Sequence, residues 1–173
     1  MKTLSTLAVL SLAAAAQAFT IDANIGAASP STYDSNAVWG LGIGTQLNND
    51  FHLGLNFSSL KLYRPNDVDA TARSTTLDLT YELNGTGNIR PFIGAGLGVT
   101  HFTSVPGTPR ADMYTESTLV TNLFAGVAFR VTDTVDLLLT ARNTEMFNVQ
   151  ELQNGPKKSI NSWQSSAGLR FKF

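Results

Sequence analysis

After residue 18 the chain is a succession of eight stretches in which apolar residues alternate with small or polar ones. A period of two marks a β-strand whose two faces meet different surroundings. The pattern is plainest where Trp39, Leu41 and Ile43 alternate with Gly40, Gly42 and Gly44. It returns where Ile93, Ala95, Leu97 and Val99 alternate with Gly94, Gly96 and Gly98. The other six apolar faces start from Phe19, Ile21 and Ile25; Phe51, Leu53 and Leu55; Leu77, Leu79 and Tyr81; Leu119, Leu123 and Val127; Val135, Leu137 and Leu139; and Ala167, Leu169 and Phe171.

Turn chemistry separates them. Asn48–Asp50, Asn84–Asn88 and Thr132–Thr134 read as short turns, and 29–36, 63–72, 103–116 and 146–159 as longer loops. Short and long connections therefore alternate along the chain. The pattern predicts an all-β, eight-stranded, antiparallel up-and-down transmembrane barrel with strands of about 9–11 residues. A ten-stranded barrel would need two more segments than the chain contains.

Alternation does not say which face points inward, but the glycines do. Ten of the fourteen lie on the face opposite the apolar one: Gly26, Gly40, Gly42, Gly44, Gly54, Gly94, Gly96, Gly98, Gly126 and Gly168. Glycine weakens a strand unless something approaches its backbone closely. Inside an eight-stranded barrel, where the bore just fits side chains, it makes that room. The apolar face then meets lipid, which suits a charged fraction of only 14%. Phe19, Phe51, Tyr81, Phe129, Phe171 and Phe173 fall near one set of strand ends, and Trp39, Phe57 and Trp163 near the other, as two interfacial belts would.

The inward face also carries four acids, Asp22, Asp78, Glu82 and Asp136, and four bases, Arg130, Arg142, Arg170 and Lys172. A lone buried charge costs several kcal/mol, so they are expected to pair in a lumenal network. Most lie near the end that holds both termini, where the network should thicken. The expected role is a structural plug, in preference to a proton or ion path.

Residues 1–18 read as a secretory signal: Lys2, an apolar stretch too short to span a bilayer, and the small-x-small site Ala16-Gln17-Ala18. The domain expected is the barrel at 19–173. The chain has no cysteine and a net charge of −1, with no basic run to suggest nucleic acid.

The last residues, Ser165–Phe173, resemble the C-terminal signal that the outer-membrane assembly machinery of Gram-negative bacteria reads, with Leu169, Phe171 and Phe173 on one face. Asn88–Val99 is similar to a fifth-strand pattern of the small eight-stranded outer-membrane barrels, whose members include outer-membrane proteins A, X and W. The resemblance implies a Gram-negative outer membrane, with its lipids and lipopolysaccharide as surroundings. It implies contact with the assembly machinery during biogenesis, and external ligands or a host surface met through the loops. It does not choose an activity, since one fold hosts many. No tethering domain is expected after Phe173.

Ile89–Phe102 is also similar to the lipid A 3-O-deacylases, whose seventh strand carries a His-x-Ser pair. Here the corresponding stretch is Thr140-Ala-Arg-Asn-Thr-Glu145, with neither residue. A serine needs an adjacent base to become a nucleophile, and the nearest substitute, His101 with Ser104, has no evident acid. His52 is expected in the lumen, hydrogen-bonded. Asp67 and Asp69 offer too few oxygens for calcium, and no Cys or His spacing suggests a transition metal. No catalytic, cofactor or metal site is expected. The leading function is a non-enzymatic outer-membrane barrel with a plugged polar lumen and surface-exposed loops. A lipid A-modifying enzyme and a narrow conduit for small or hydrophobic solutes are the alternatives.

Overall fold

The computed structural model describes residues 19–64, 68–83, 87–104, 115–150 and 155–173. The eight strands are β1 (Phe19–Pro30), β2 (Asn36–Gln46), β3 (Phe51–Arg64), β4 (Val68–Glu82), β5 (Ile89–Ser104), β6 (Ser117–Arg130), β7 (Val135–Val149) and β8 (Lys158–Lys172). Each pairs antiparallel with its neighbours in sequence, and β8 pairs with β1 to close the barrel. At the seam Phe19 N and Phe173 N each donate to the other residue's carbonyl, at 3.3 and 2.9 Å.

The turns follow from local chemistry. In the β2–β3 turn the Asn48 side-chain oxygen accepts from Asp50 N and Phe51 N, both at 2.9 Å. This Asx geometry replaces backbone partners the turn lacks. In the β6–β7 turn, Val131 N and Thr132 N both donate to the Val135 carbonyl, at 2.9 and 3.0 Å.

The apolar face points outward along the lower and middle barrel. Ile25 and Leu123 are each 67% exposed, and Leu77, Ile93 and Leu97 are exposed beside them. A water-soluble barrel would bury these residues, whereas in a bilayer they meet hydrocarbon. Phe51 and Tyr81 pack at 5.0 Å between ring centroids, and Phe19 and Phe173 at 6.2 Å, near the ends that carry the termini.

The inward glycines are in close quarters. A Cβ on Gly126 would sit 2.5 Å from the Phe92 ring, and one on Gly44 2.8 Å from His52 Nε2. Large inward side chains from one strand thus lie over the bare backbone of the next.

The strands run 11 to 16 residues, longer than the sequence pattern suggests. The extra length lies at the end away from the termini. The loop expected at 63–72 is mostly ladder, pairing Leu62 with Ala70 and Tyr63 with Asp69. Leu60, Leu62, Ala70 and Ala72 point inward and are buried, so the sheet continues because it has an interior to cover. The other long connections also shrink, and β1 runs on to Pro30 and β7 to Val149.

Candidate functional site

The lumen holds three layers. Nearest the termini, charges alternate across the bore. Arg170 on β8 donates to both carboxylate oxygens of Asp22 on β1, at 3.0 and 3.3 Å, and to Glu82 on β4 at 2.6 Å. Arg90 on β5 lies 3.6 Å from Glu82 and donates a close hydrogen bond to Asp136 on β7. Lys172 completes the chain at 3.0 Å from Asp136. Three acids and three bases cancel, and the run Asp22–Arg170–Glu82–Arg90–Asp136–Lys172 ties five strands together. Asp136 is wholly buried, and Glu82, Arg90 and Arg170 nearly so. Such charges hold only while paired: removing one partner of a buried pair costs about 3–5 kcal/mol.

The second layer is polar and looser. Arg142 donates to Asp78 at 2.9 Å, and Asn56 donates to the same oxygen at 3.0 Å. The Arg142 guanidinium stacks 4.6 Å from the Phe124 ring. With the Asn122 amide turned so that its oxygen faces Arg142 and Thr76, at 2.9 and 3.2 Å, its nitrogen donates to Thr144 at 2.9 Å and both ends of the amide find partners. His52 is buried and bonded to Thr20 at 2.7 Å. Asp22, Asn24, Asn56, Asp78 and Arg142 help line a cavity of about 70 Å³ between these two layers. That volume suits a few waters among polar walls and no sizeable solute.

The third layer is apolar. Val38, Leu60, Leu62, Val120, Met146 and Ile160 form its centre, with Tyr33 folded in from the β1–β2 loop and Phe102 packed against it. Met146 and Val149 both join this core although they are three residues apart. A bulge in the β7–β8 ladder between them resets the inward phase, and Asn148 takes the left-handed conformation (φ 54°) that this needs. Asparagine is among the few non-glycine residues that adopt it readily.

Of the eight lumenal charges read from the sequence, seven take part in these pairs. The exception is Arg130, whose buried Nε meets no partner among the described residues. Arg90 was missed although it bridges two acids. Arg90 is the second residue of β5 and keeps the inward phase of Phe92 and Gly94, and that phase is the signal that could have found it. Leu169, Phe171 and Phe173 lie exposed on the outward face of the closing strand. Residues 1–18 and the side chains of Asp67, Asp69 and Ser104 lie outside the described residues.

The outward face carries its own polar groups at the far rim. Asn143 and Asn161 donate to each other at 2.9 and 3.2 Å, with Glu145 and Thr121 as neighbours in the ladder. His101 does not share a pleat phase with Ser104: its cross-strand partners are Arg73 and Ser117, while Ser104 pairs with Ala70. His101 and Ser117 are not hydrogen-bonded to one another.

A family model for the outer membrane protein beta-barrel domain matches residues 3–171. The chain belongs to that family. It is therefore a small eight-stranded barrel of the Gram-negative outer membrane. Among solved structures it is similar to Neisserial surface protein A, with 22% identity, a TM-score of 0.76, and coverage of 90% of this chain and 99% of that one. OprG from Pseudomonas aeruginosa gives 15%, 0.63, and coverage of 91% and 96%. The outer membrane enzyme PagL gives 16%, 0.52, and coverage of 86% and 97%. No curated protein sequence matches. At these identities the likeness is one of fold, and a fold shared with an enzyme does not by itself carry an activity.

Proposed function

We propose that this barrel is a closed, non-enzymatic outer-membrane protein, and that its work is done by its outer rim and loops while its lumen serves stability. The observation that carries this is the filling of the bore: an ion-paired layer at one end and an apolar core at the other, with only a small cavity between. A conduit needs a continuous wet or greasy path, and both barriers would have to open to make one.

The rim supports the non-enzymatic half of the reading. Its amide pair is satisfied within itself, and among the described residues His101 faces Ser117 without a hydrogen bond or an ion pair to orient the ring. Such an arrangement lacks the nucleophile–base–acid relay that acyl transfer needs. The loops are the natural place for an external ligand or host surface, because recognition sits on variable segments over a rigid scaffold. Residues 1–18 serve as the export signal, and Leu169, Phe171 and Phe173 are read by the assembly machinery. N-terminal sequencing of the membrane-inserted protein should begin at Phe19. Phe173→Ala should lower the yield of heat-modifiable barrel without changing its export.

Two measurements test the main reading. Barrel reconstituted in planar bilayers should show no stable open channel; a high-conductance open state would sink the closed-lumen reading. Lipid A from cells lacking and overproducing the protein should have the same mass. An acyl chain lost in step with expression would overturn the non-enzymatic reading and direct attention to His101 and Ser117.

A further inference from the structure

The outward wall of the barrel is not uniform. On β2–β4 it carries exposed Leu41, Phe57 and Leu77, as a surface facing hydrocarbon should. On β6–β8 the same phase carries Ala125, Ala141 and Ser165, with Thr121, Asn143 and Glu145 beyond them. The small residues leave a depression of about 720 Å³, with Ala125 and Ala141 in it and Leu123, Asn143 and Trp163 along its margin. The polar residues do not mark the end of the apolar belt: Leu119 follows Thr121 toward the far rim on the same face of β6, and it is exposed. Glu145 makes no hydrogen bond or ion pair among the described residues. Asn143 and Asn161 bond each other, and each amide keeps a second hydrogen. Polar and ionisable groups at such a depth are costly, and they mark places where a partner is met.

Strand tilt decides which of these residues share a line along the barrel axis. The ladder row that starts at Thr20 on β1 passes Asp78 on β4 and Thr144 on β7, and it returns to β1 at Pro30. Rows therefore climb toward the far rim, and a line parallel to the axis rises by roughly two residues for each strand it crosses. One such line runs through Ala125 on β6, Asn143 on β7 and Asn161 on β8. Leu123 lies on one side of it and Ala141 on the other, at similar height. Farther toward the rim, Glu145 and Trp163 flank it in the same way.

We propose that this face docks a second copy of the barrel, inserted in the same sense, about a two-fold axis along the membrane normal that passes close to Asn143. A two-fold axis sets the residues on one side of the line against those on the other side in the second copy. Leu123, 67% exposed, then enters the depression at Ala141 of the other copy. The indole N–H of Trp163, itself 63% exposed, meets the Glu145 carboxylate across the axis. Asn143 and Asn161 lie near the axis, where their second amide hydrogens face the amide oxygens of the other copy. Ala125 lets the two walls approach, as small residues do between membrane-embedded elements. Large meets small and donor meets acceptor when this one patch meets itself. A lipid chain would fill the depression but leave Glu145 and the amides without partners. The surface lies outside the lumen, so the conductance experiment does not bear on it.

The chain has no cysteine, so single replacements report contacts in the outer membranes of intact cells. Ala125→Cys, near the axis, and Leu41→Cys, on the opposite wall, are treated with a short bis-maleimide after the heat-dependent gel shift shows each to be folded. Ala125→Cys should be captured at twice the mass of the barrel, and Leu41→Cys should not. Added to Ala125→Cys, either Ala141→Leu or Asn143→Leu should lower capture about three- to tenfold, the worth of one contact between membrane-spanning elements. Ala141→Leu together with Leu123→Ala should restore it, because the pair exchanges knob and hole. Equal capture at Ala125→Cys and Leu41→Cys marks chance encounter and overturns the dimer. So does the absence of capture in folded Ala125→Cys, or capture that neither Ala141→Leu nor Asn143→Leu lowers. Failure of the exchange to restore capture overturns the pairing of Leu123 with Ala141. Capture only at the mass of a different protein overturns the assignment to a second copy.

Discussion

At the end that holds the termini, the lumen is filled by Arg170, Glu82, Arg90 and Asp136; at the other end, Leu62 on β3, Val120 on β6 and Met146 and Val149 on β7 turn inward. The outer surface changes in the opposite sense. On β4, Leu77, Leu79 and Tyr81 face out while Thr76, Asp78, Thr80 and Glu82 are buried; a few residues earlier Arg73 faces out while Ala70 and Ala72 are buried. On β3 the switch falls between Phe57, which is exposed, and Leu60, which is buried. One strand is therefore inside-out along most of its length and outside-in at its tip. The cause is the change of solvent. Within the bilayer, apolar surface is stable outward and polar groups must satisfy one another inward. Past the interface, water reclaims the outside, and the barrel tip needs a core of the kind a soluble β-protein has. On β3 and β4 the switch point falls where such a boundary is expected.

The sharpest way to break this comparison is at the charged end. Arg170→Met leaves Asp22 and Glu82 buried without their shared cation. A loss of about 3–5 kcal/mol is expected, read as a lower urea midpoint for unfolding in lipid vesicles. A change under about 1 kcal/mol would mean that the acids are hydrated in place, and that the layer is not a structural plug.

At the apolar end the failure should be of a different kind. Leu62→Ala removes a fully buried side chain from the tip core. A cost of about 2–3 kcal/mol is expected, toward the low side of such truncations because the tip can relax. The loss should appear as earlier proteolysis of the outer loops, with the membrane-spanning part still resistant. Neither single variant should conduct, since the other barrier remains. The double variant Arg170→Met/Leu62→Ala is the one expected to show channel events, if it inserts.

Much of this was legible before the structure, and the boundary between what was and was not follows the same switch. Alternation, glycine phase and the terminal strand all report on the bilayer-embedded part, where one rule holds without interruption. There the strand count, the inward face and the pairing of Asp22, Asp78, Glu82 and Asp136 with bases could be read directly. At the tip the rule inverts. The phase change from Phe57 to Leu60 looks like the end of a strand, and Arg64-Pro65-Asn66-Asp67 looks like loop chemistry. Both signals hid the continuing ladder and the core beneath it. The bulge at Asn148 concealed Val149 in the same way, by shifting parity within a strand. Arg90 did carry a local signal, the inward period-two phase it shares with Phe92 and Gly94. The particular exchange of partners, Arg170 with Glu82 across the bore rather than with Asp22 alone, depends on barrel closure and has no local signal.

The middle layer lies between the extremes and should respond between them. Arg142 keeps about a fifth of its side chain exposed, and its pair with Asp78 borders the cavity. Arg142→Met is expected to cost about 1–2 kcal/mol, less than a fully buried pair because water can reach the carboxylate left behind. A cost equal to that of Arg170→Met, in the same unfolding assay, would show the two layers to be one cooperative network.

The smallest effect on stability is expected at Arg73, and it is the most informative about where function lies. Every inward charge described above except Arg130 is locked to a partner, so its removal is felt by the fold. Arg73 faces out at the switch point with no ion-pair partner among the described residues, and its cross-strand neighbours are Ser59 and His101. Arg73→Gln should therefore leave the urea midpoint within the scatter of repeated measurements. A marked loss of stability in Arg73→Gln in lipid-free detergent micelles would place Arg73 among the structural residues, and the difference drawn here between an inner face that stabilises and an outer rim that binds would not hold at that position.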